Sequence, residues 1–180
     1  MPPFSPRIIL IRHGQPDIAL APRTSHEGFA GYIDDYEEAG LDPQNLPPAE
    51  LRDLARELRT VFTSGRPRSH QSAQVLAPHA ELIADPLFVE APLASPPIPL
   101  LRMTVAKWAV VSRILWHAGF HPDIENSRDA AKRAVRAADI LIARARADGV
   151  VALVAHGYFN WMIGRILRKR GFARAGTHQA

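Results

Sequence analysis

Two apolar runs at opposite ends of the chain share one organisation. Residues 8–11 are followed by Arg12-His13-Gly14, and residues 150–155 are followed by His156-Gly157. Short, uninterrupted apolar runs of this kind are typical of strands buried on both faces of a parallel sheet. They predict strands over 7–12 and 150–155, each ending in a histidine–glycine turn. Shorter runs predict two more strands, over 60–63 and 81–84.

Between the predicted strands, apolar residues recur at helical spacing. We predict helices from a cap at Asn45 to about Leu58, from Pro67 to a stop at Pro78, over about 103–118, over 127–148 with Ser127 as N-cap, and from 157 to about 170. Residues 14–45 are predicted to form a long, partly helical loop, residues 87–89 an extended segment, and residues 91–99 an irregular proline-rich stretch. Strands that alternate with helices predict an α/β fold, a three-layer α/β/α sandwich around a mostly parallel sheet.

The composition sets limits on this picture. The chain has 180 residues, 47% hydrophobic and 22% charged, which fits a single domain over 1–180 with a small, polar and disordered tail at 171–180. The absence of cysteine excludes disulfides and thiolate chemistry. No signal-peptide pattern and no apolar run near the roughly 20 residues of a membrane span are present, so we expect a cytoplasmic protein without a membrane partner.

The net charge of +4 favours an anionic partner. The arginines of the chain are mostly scattered along predicted helices, and no nucleic-acid-binding motif accompanies them. We therefore do not expect nucleic acid to be that partner.

The candidate chemistry lies at the predicted strand ends. In open α/β sheets, ligands bind at the carboxyl ends of the strands. His13 and His156 each follow a strand, and Arg12 directly precedes His13. Ser64 follows the strand over 60–63, and Arg68 lies in the first turn of the next helix. Three strand ends therefore bring two arginines and two histidines to one place.

This set of side chains suits phosphoryl transfer. The planar arginine fork binds phosphate oxygens in pairs. A neutral imidazole nitrogen attacks phosphorus when its other nitrogen is held as N–H by a carbonyl. The second imidazole, His156, is expected to be cationic and to stabilise the oxygens of the transferred group. Because these groups supply the positive charge, we expect no metal and no cofactor.

The order of these motifs carries a resemblance to a known family. Arg12-His13-Gly14, the segment from Ser64 through Arg68 to Ser72-Ala73, Glu90 and His156-Gly157 follow one another as in the histidine phosphatase superfamily, the phosphoglycerate-mutase-like group with the RHG motif. The resemblance covers roughly residues 7–170. It implies a phosphohistidine on His13, with Arg12, Arg68 and His156 in the phosphate pocket and Glu90 as proton donor. Gln15, Ser64 and Gly157 are further candidate phosphate contacts.

The chain departs from the mutase pattern after Glu90. A proline-rich stretch and an apolar helix with Trp108 and Trp116 stand where mutases carry a glycine-rich stretch and a substrate-gripping insertion. We therefore expect a phosphatase acting on a small phosphorylated metabolite or a phosphoprotein, with a pocket more apolar than a glycolytic acid needs. Both tryptophans are expected in the core. Arg102 and Arg113 are expected on the surface, with an extension of the basic pocket as the alternative.

Most candidates also have a structural explanation. His13 fits a buried histidine that donates to a backbone carbonyl, and Glu90 fits a solvated residue whose competitors as proton donor are Asp17, Asp85 and Glu125. Gln15 fits loop packing and Ser64 a turn. The alternative function is a non-catalytic module on the same fold that binds a phosphorylated ligand or a protein. A missing edge strand would also leave a place for homodimer pairing.

Overall fold

Four parallel strands form the central sheet in the part of the chain that the structure, a computed structural model, describes: residues 5–19 and 22–176. The strands are β1 (Arg7–Arg12), β2 (Thr60–Thr63), β3 (Glu81–Ala84) and β4 (Val150–Ala155), in the order β1-β4-β2-β3. All four predicted strands are confirmed. Every residue of β4 is buried, because β1 and β2 flank it and helices cover both of its faces.

The register of the sheet aligns three strand ends. Arg12 pairs with Ala155, and Thr63 pairs with Val154. Since the three strands are parallel and adjacent, the residues that follow them leave the sheet at the same edge. His13, His156 and Ser64 are those residues, which is the arrangement that the sequence predicts.

Helices pack on both faces of the sheet within the described ranges. They are α1 (His26–Glu38), α2 (Ala49–Ala55), α3 (Pro67–Leu76), α4 (Val105–His117), α5 (Ser127–Asp148) and α6 (Gly157–Lys169). Side chains alternate across each strand, so Leu153 points to a core shared with α5 and α6, whereas Ala152 points to a core shared with α2 and α3. The predicted three-layer α/β/α sandwich is confirmed.

Three local predictions are wrong. Asn45 does not cap α2, because the helix begins only after Pro48. The side-chain oxygen of Asn45 instead accepts the Gln15 backbone N–H at 2.9 Å. The N-cap of α5 is Asn126 rather than Ser127, because the Asn126 side chain reaches two free N–H groups of the first turn. Residues 87–89 are not an extended strand, since Pro86–Phe88 form a 3-10 helix that Asp85 caps.

Helices α1 and α4 pack against each other. Phe29 and Trp108 stack with ring centroids 5.9 Å apart, and the Trp108 indole donates to the Thr24 carbonyl at 2.9 Å. A backbone bridge between Thr24 and Met103 joins the segments that lead into the two helices. Trp108 and Trp116 are buried as predicted. The pair α1–α4 is therefore a fixed unit of the fold.

The C-terminal segment is folded further than predicted. Phe172 packs against the core of α5 and α6, and its backbone N–H donates to Leu167 at 3.0 Å. The rest of the predicted tail includes residues 177–180, which lie outside the described residues. Among the described residues, none of the helices combines the length and the apolar character that a membrane crossing requires.

Leu153 lies at the centre of the sheet, so truncation should destabilise the whole domain. We expect Leu153→Ala to lower the free energy of unfolding by about 2–5 kcal/mol, through lost burial and the cavity left behind. Leu46 is 68% exposed, and the same change there should cost no more than about 0.5 kcal/mol. Urea unfolding of the two variants measures the difference, and equal losses would contradict the placement of β4.

Candidate active site

The aligned strand ends bring four of the candidate side chains into contact. The imidazoles of His13 and His156 lie with ring centroids 5.2 Å apart. The Arg68 guanidinium bridges them, with Nε 3.4 Å from His13 Nε2 and Nη2 3.5 Å from His156 Nδ1. Ser64 Oγ lies 2.8 Å from His156 Nε2. One network therefore joins His13, Arg68, His156 and Ser64.

Two glycines and a serine shape the backbone around this network. Gly14 packs so closely that a Cβ there would lie 2.5 Å from Asn45 Oδ1. Gly65 has a φ of 77°, which turns the chain from β2 into α3. Ser72 on α3 accepts the Gly14 backbone N–H at 2.9 Å and donates to the Arg68 carbonyl at 2.6 Å. The turn after His13 is thus fixed to the helix that carries Arg68.

The partners of His13 determine its tautomer. Nδ1 lies 2.7 Å from the Gly14 carbonyl, which can only accept, so Nδ1 carries the proton. Nε2 lies near Arg68 Nε, which can only donate, so Nε2 carries a lone pair. The Tyr36 hydroxyl lies 3.2 Å from the same lone pair. Both constraints give the same tautomer, the one that a nucleophilic Nε2 requires.

Burial keeps both imidazoles neutral. Desolvation lowers the pKa of His13 from 6.5 to about 4, with a smaller effect from the charges of Arg68 and Arg12. Desolvation, followed by the Arg68 charge, lowers the pKa of His156 to about 2. The expectation that His156 is cationic is therefore wrong, because the ring is buried and lies beside the charge of Arg68.

Arg68 has no exposed side-chain surface, and α1 supplies most of its acceptors. Its Nη1 donates to the backbone carbonyls of Tyr36 and Glu37, and its Nη2 lies 3.5 Å from a Glu37 carboxylate oxygen. The guanidinium carbon lies 4.2 Å from the centroid of the Tyr36 ring. The last carbonyls of a helix lack intrahelical partners and bear partial negative charge, so the end of α1 suits a buried cation.

Sequence reasoning missed α1 as a component of the site, although a signal was present. Ser25 is a good N-cap residue, and its side chain caps the helix. Phe29, Tyr32, Ile33 and Tyr36 follow at the spacing of one helical face. Glycines and the proline-rich surroundings interrupt this pattern, so the sequence predicts only a partly helical loop over residues 14–45.

The Glu90 side chain lies against the N-terminus of α6, the helix that His156 caps. Its carboxylate accepts the backbone N–H groups of Tyr158 at 3.1 Å and Phe159 at 2.8 Å. Burial raises the pKa of Glu90, while these hydrogen bonds and the charge of Arg113 oppose the rise. A carboxyl group with a raised pKa suits proton donation.

Arg133 on α5 holds the segment that carries Glu90, a role that the sequence did not show. Its guanidinium donates to the carbonyls of Leu87 and Val89 at 2.9 and 2.7 Å. Glu125 neutralises it through two hydrogen bonds of 2.9 and 2.7 Å. Glu125 is thus engaged in an ion pair. Of the other competitors for the acid role, Asp85 caps the 3-10 helix and Asp17 is exposed.

Arg113 is partly buried, so its predicted surface position is wrong. It donates to the carbonyls of Ala91 and Pro92 at 2.8 and 3.2 Å, and it stacks over the rings of Trp116 and Tyr158. The residue therefore ties α4 to the segment after Glu90.

The remaining candidates lie around this network. Arg12 is exposed, and its Cδ would lie 3.6 Å from a Cβ placed on Gly157. Gly157 opens α6 beside His156. Gln15 is exposed, and its backbone pairs with the loop residues Asn45 and Asp42. The structure thus places Arg12 and Gly157 next to the network, whereas Gln15 lies in the loop packing.

A cavity of about 890 Å³ adjoins the site, and its lining includes Arg12, Glu90 and Tyr36. Tyr36 stands at its boundary, since its ring lines the cavity and its hydroxyl contacts His13. Within residues 5–19 and 22–176, no three histidine, aspartate or glutamate side chains group as ligands for a metal ion.

The sequence matches a known protein family over nearly its whole length. A family model for the histidine phosphatase superfamily (branch 1) matches residues 8–178. The chain belongs to this superfamily. Membership indicates phosphatase or mutase chemistry. No curated protein matches the sequence.

Solved structures resemble the chain in fold at low sequence identity. A mycobacterial glucosyl-3-phosphoglycerate phosphatase complexed with VO3 is 21% identical over 92% of this chain and 83% of its own, with a TM-score of 0.60. The product of a Mycobacterium tuberculosis open reading frame is 20% identical over 87% of this chain and 77% of its own, with a TM-score of 0.57. At these identities the likeness shows the fold.

The lowered histidine pKa values make a prediction about stability. Below pH 6.5 the unfolded chain protonates both histidines, whereas folded His13 does so only near 4 and folded His156 only near 2. Stability should therefore fall as the pH decreases below 6.5, by up to about 1.4 kcal/mol per pH unit for each histidine. His156→Asn should remove one of the two contributions from this slope.

Urea unfolding at several pH values between about 4.5 and 7 measures the slope. The slope is the informative quantity, because a buried substitution also lowers stability at every pH. His79 is exposed, and His79→Asn serves as the matched control with the slope of the wild type. A slope unchanged in His156→Asn would contradict a neutral, buried His156.

Proposed function

We propose that the protein is a metal-independent phosphatase that hydrolyses phosphomonoesters through a phosphohistidine on His13. The observation that carries the proposal is the fixed tautomer of His13. The Gly14 carbonyl holds Nδ1–H at 2.7 Å, so the Nε2 lone pair faces the buried guanidinium of Arg68. A nucleophilic lone pair beside a cation is the arrangement that a phosphoryl dianion requires.

Phosphate binding rests on the charges around the two imidazoles. The charges of Arg68 and Arg12 act on both His13 and His156. Arg12 is exposed and approaches a ligand directly. Arg68 binds phosphoryl oxygens by exchanging its contacts with Glu37 for contacts with the ligand. A bound dianion offsets the charges of both arginines.

The first chemical step transfers the phosphoryl group to the protein. The Tyr36 hydroxyl turns away from His13, and Nε2 forms a bond to phosphorus as the bond to the leaving oxygen breaks. Glu90 gives its proton to that oxygen, which departs as an alcohol. The raised pKa of Glu90 supports this role, because it keeps the carboxyl group protonated to higher pH.

The second step releases inorganic phosphate. Glu90, now a carboxylate, accepts a proton from a water molecule, whose oxygen attacks phosphorus. The bond between Nε2 and phosphorus breaks, and His13 returns to its resting tautomer. The proton returns to Glu90, so acid and base roles alternate on one residue.

Hydrolysis is favoured over mutase chemistry because the segment after Glu90 is proline-rich and packs against α4 through Arg113. A solved relative of similar fold is a glucosyl-3-phosphoglycerate phosphatase. We propose a small phosphorylated metabolite as the substrate, with a phosphoprotein as the alternative. The non-catalytic module remains as the outcome in which ligands bind without turnover.

Removal of the nucleophile should abolish hydrolysis. We expect His13→Ala to lower turnover of an aryl phosphate by about 10³-fold or more, with a chelator present throughout. His79→Ala removes an exposed histidine and should retain the wild-type rate. Phosphate-release kinetics measure the effect. Comparable turnover in His13→Ala and wild type would reject the phosphohistidine mechanism.

The role of Glu90 should depend on the leaving group. Glu90→Gln lacks the acidic proton, so kcat/KM for an alkyl phosphate should fall by about 10²–10⁴-fold. The loss should be much smaller for p-nitrophenyl phosphate, whose leaving group departs without a proton. Asp17→Asn, at an exposed competitor, should change neither value. A loss equal for both substrates in Glu90→Gln would assign Glu90 a purely structural role.

A further inference from the structure

The cavity beside the site is far larger than a phosphoryl group requires, and its walls are mainly apolar. Its volume of about 890 Å³ is near the upper end of the range for small-molecule sites, roughly 300–1,000 Å³. The apolar wall residues come from α1, α4 and the segment after Glu90: Phe29, Tyr32, Ile33, Val105, Ala109 and Leu93.

These walls are preformed. Phe29 stacks on Trp108, and the Trp108 indole is hydrogen-bonded to Thr24, so α1 and α4 are held at a fixed separation. Ser95 donates to the His26 carbonyl at 2.6 Å, which joins the proline-rich segment to the start of α1. A preformed apolar site binds an apolar group without the entropic cost of ordering its own walls.

The other arginines that line the cavity, besides Arg12, already have partners. Arg66 pairs with Glu37 at 2.7 Å, and Arg133 pairs with Glu125. Arg113 donates to two backbone carbonyls. The carboxylates of Asp34 and Glu37 also belong to the lining. A second anionic group on the substrate would therefore meet engaged guanidinium groups and like charges, which disfavours its binding.

We propose that this cavity holds the leaving group, and that the substrate is a phosphomonoester of an uncharged, mainly apolar alcohol. The inference rests on the proposed phosphatase function and specifies its substrate class. Arg12 and Glu90 line the cavity, and Tyr36, also in the lining, contacts His13. A phosphate at His13 therefore directs its ester oxygen toward Glu90 and its alkyl body along the apolar walls.

A series of straight-chain alkyl phosphates tests the proposal. Propyl, pentyl and octyl phosphate, used below their micellar concentrations, have leaving groups of similar pKa and differ in apolar area. Each methylene buried is worth up to about fourfold in kcat/KM, so octyl phosphate should exceed propyl phosphate by about 30-fold or more. 3-Phosphoglycerate, which carries a second anion, should fall below propyl phosphate.

Two variants on one helix locate the effect. Ala109 lines the cavity, whereas Ala106 on the same helix is exposed and lies outside the lining. Ala109→Phe fills the cavity and should lower the ratio of octyl to propyl kcat/KM by about tenfold or more. Ala106→Phe should leave this ratio unchanged. A ratio that is equal in the two variants would contradict the cavity as the leaving-group site.

The outcomes separate this proposal from the one on which it rests. Hydrolysis that depends on His13 but prefers 3-phosphoglycerate or shows no chain-length dependence would overturn the substrate class alone. Comparable turnover in His13→Ala would overturn the mechanism alone. If no ester is hydrolysed, calorimetry with propyl- and octylphosphonate still tests the cavity: tighter binding of octylphosphonate supports it, and equal affinity rejects it.

Discussion

The site depends on the buried positive charge of Arg68. Its side chain has no exposed surface, so each part of the guanidinium needs a partner within the protein. The two imidazoles and the end of α1 provide those partners, and they come from segments far apart in the chain. Satisfaction of this one charge therefore draws β1, α1, α3 and β4 together at the same point.

Burial and the charge of Arg68 together keep the two histidines neutral. Burial lowers the pKa values of both His13 and His156, and the charge of Arg68 lowers them further. His13 is consequently neutral and carries its lone pair on Nε2. In the proposed mechanism, the arginine charges attract a dianion and neutral His13 presents the nucleophile to it. The burial and the charge that lower these pKa values thus affect both the pH dependence of stability and the proposed reactivity.

Helix α1 links the charged site to the apolar cavity. Its last carbonyls bind Arg68, its Tyr36 hydroxyl contacts His13, and its Phe29 packs on Trp108 of α4. Other residues of α1, among them Tyr32 and Ile33, form one wall of the cavity. One helix therefore contributes to both the proposed phosphate site and the proposed leaving-group site.

Local sequence determined the strands and the residues that follow them. A continuous apolar run is sufficient to predict a buried strand, and a histidine directly after it must lie at the sheet edge, so His13, His156 and Ser64 were placed from sequence. The tautomer of His13, the partners of Arg68, the ion pair that holds Arg133 and the cavity between α1 and α4 were decided only by the tertiary structure. Each of these features joins segments distant in the chain, and hydrophobic periodicity reports which face of an element is buried, not which other element covers it.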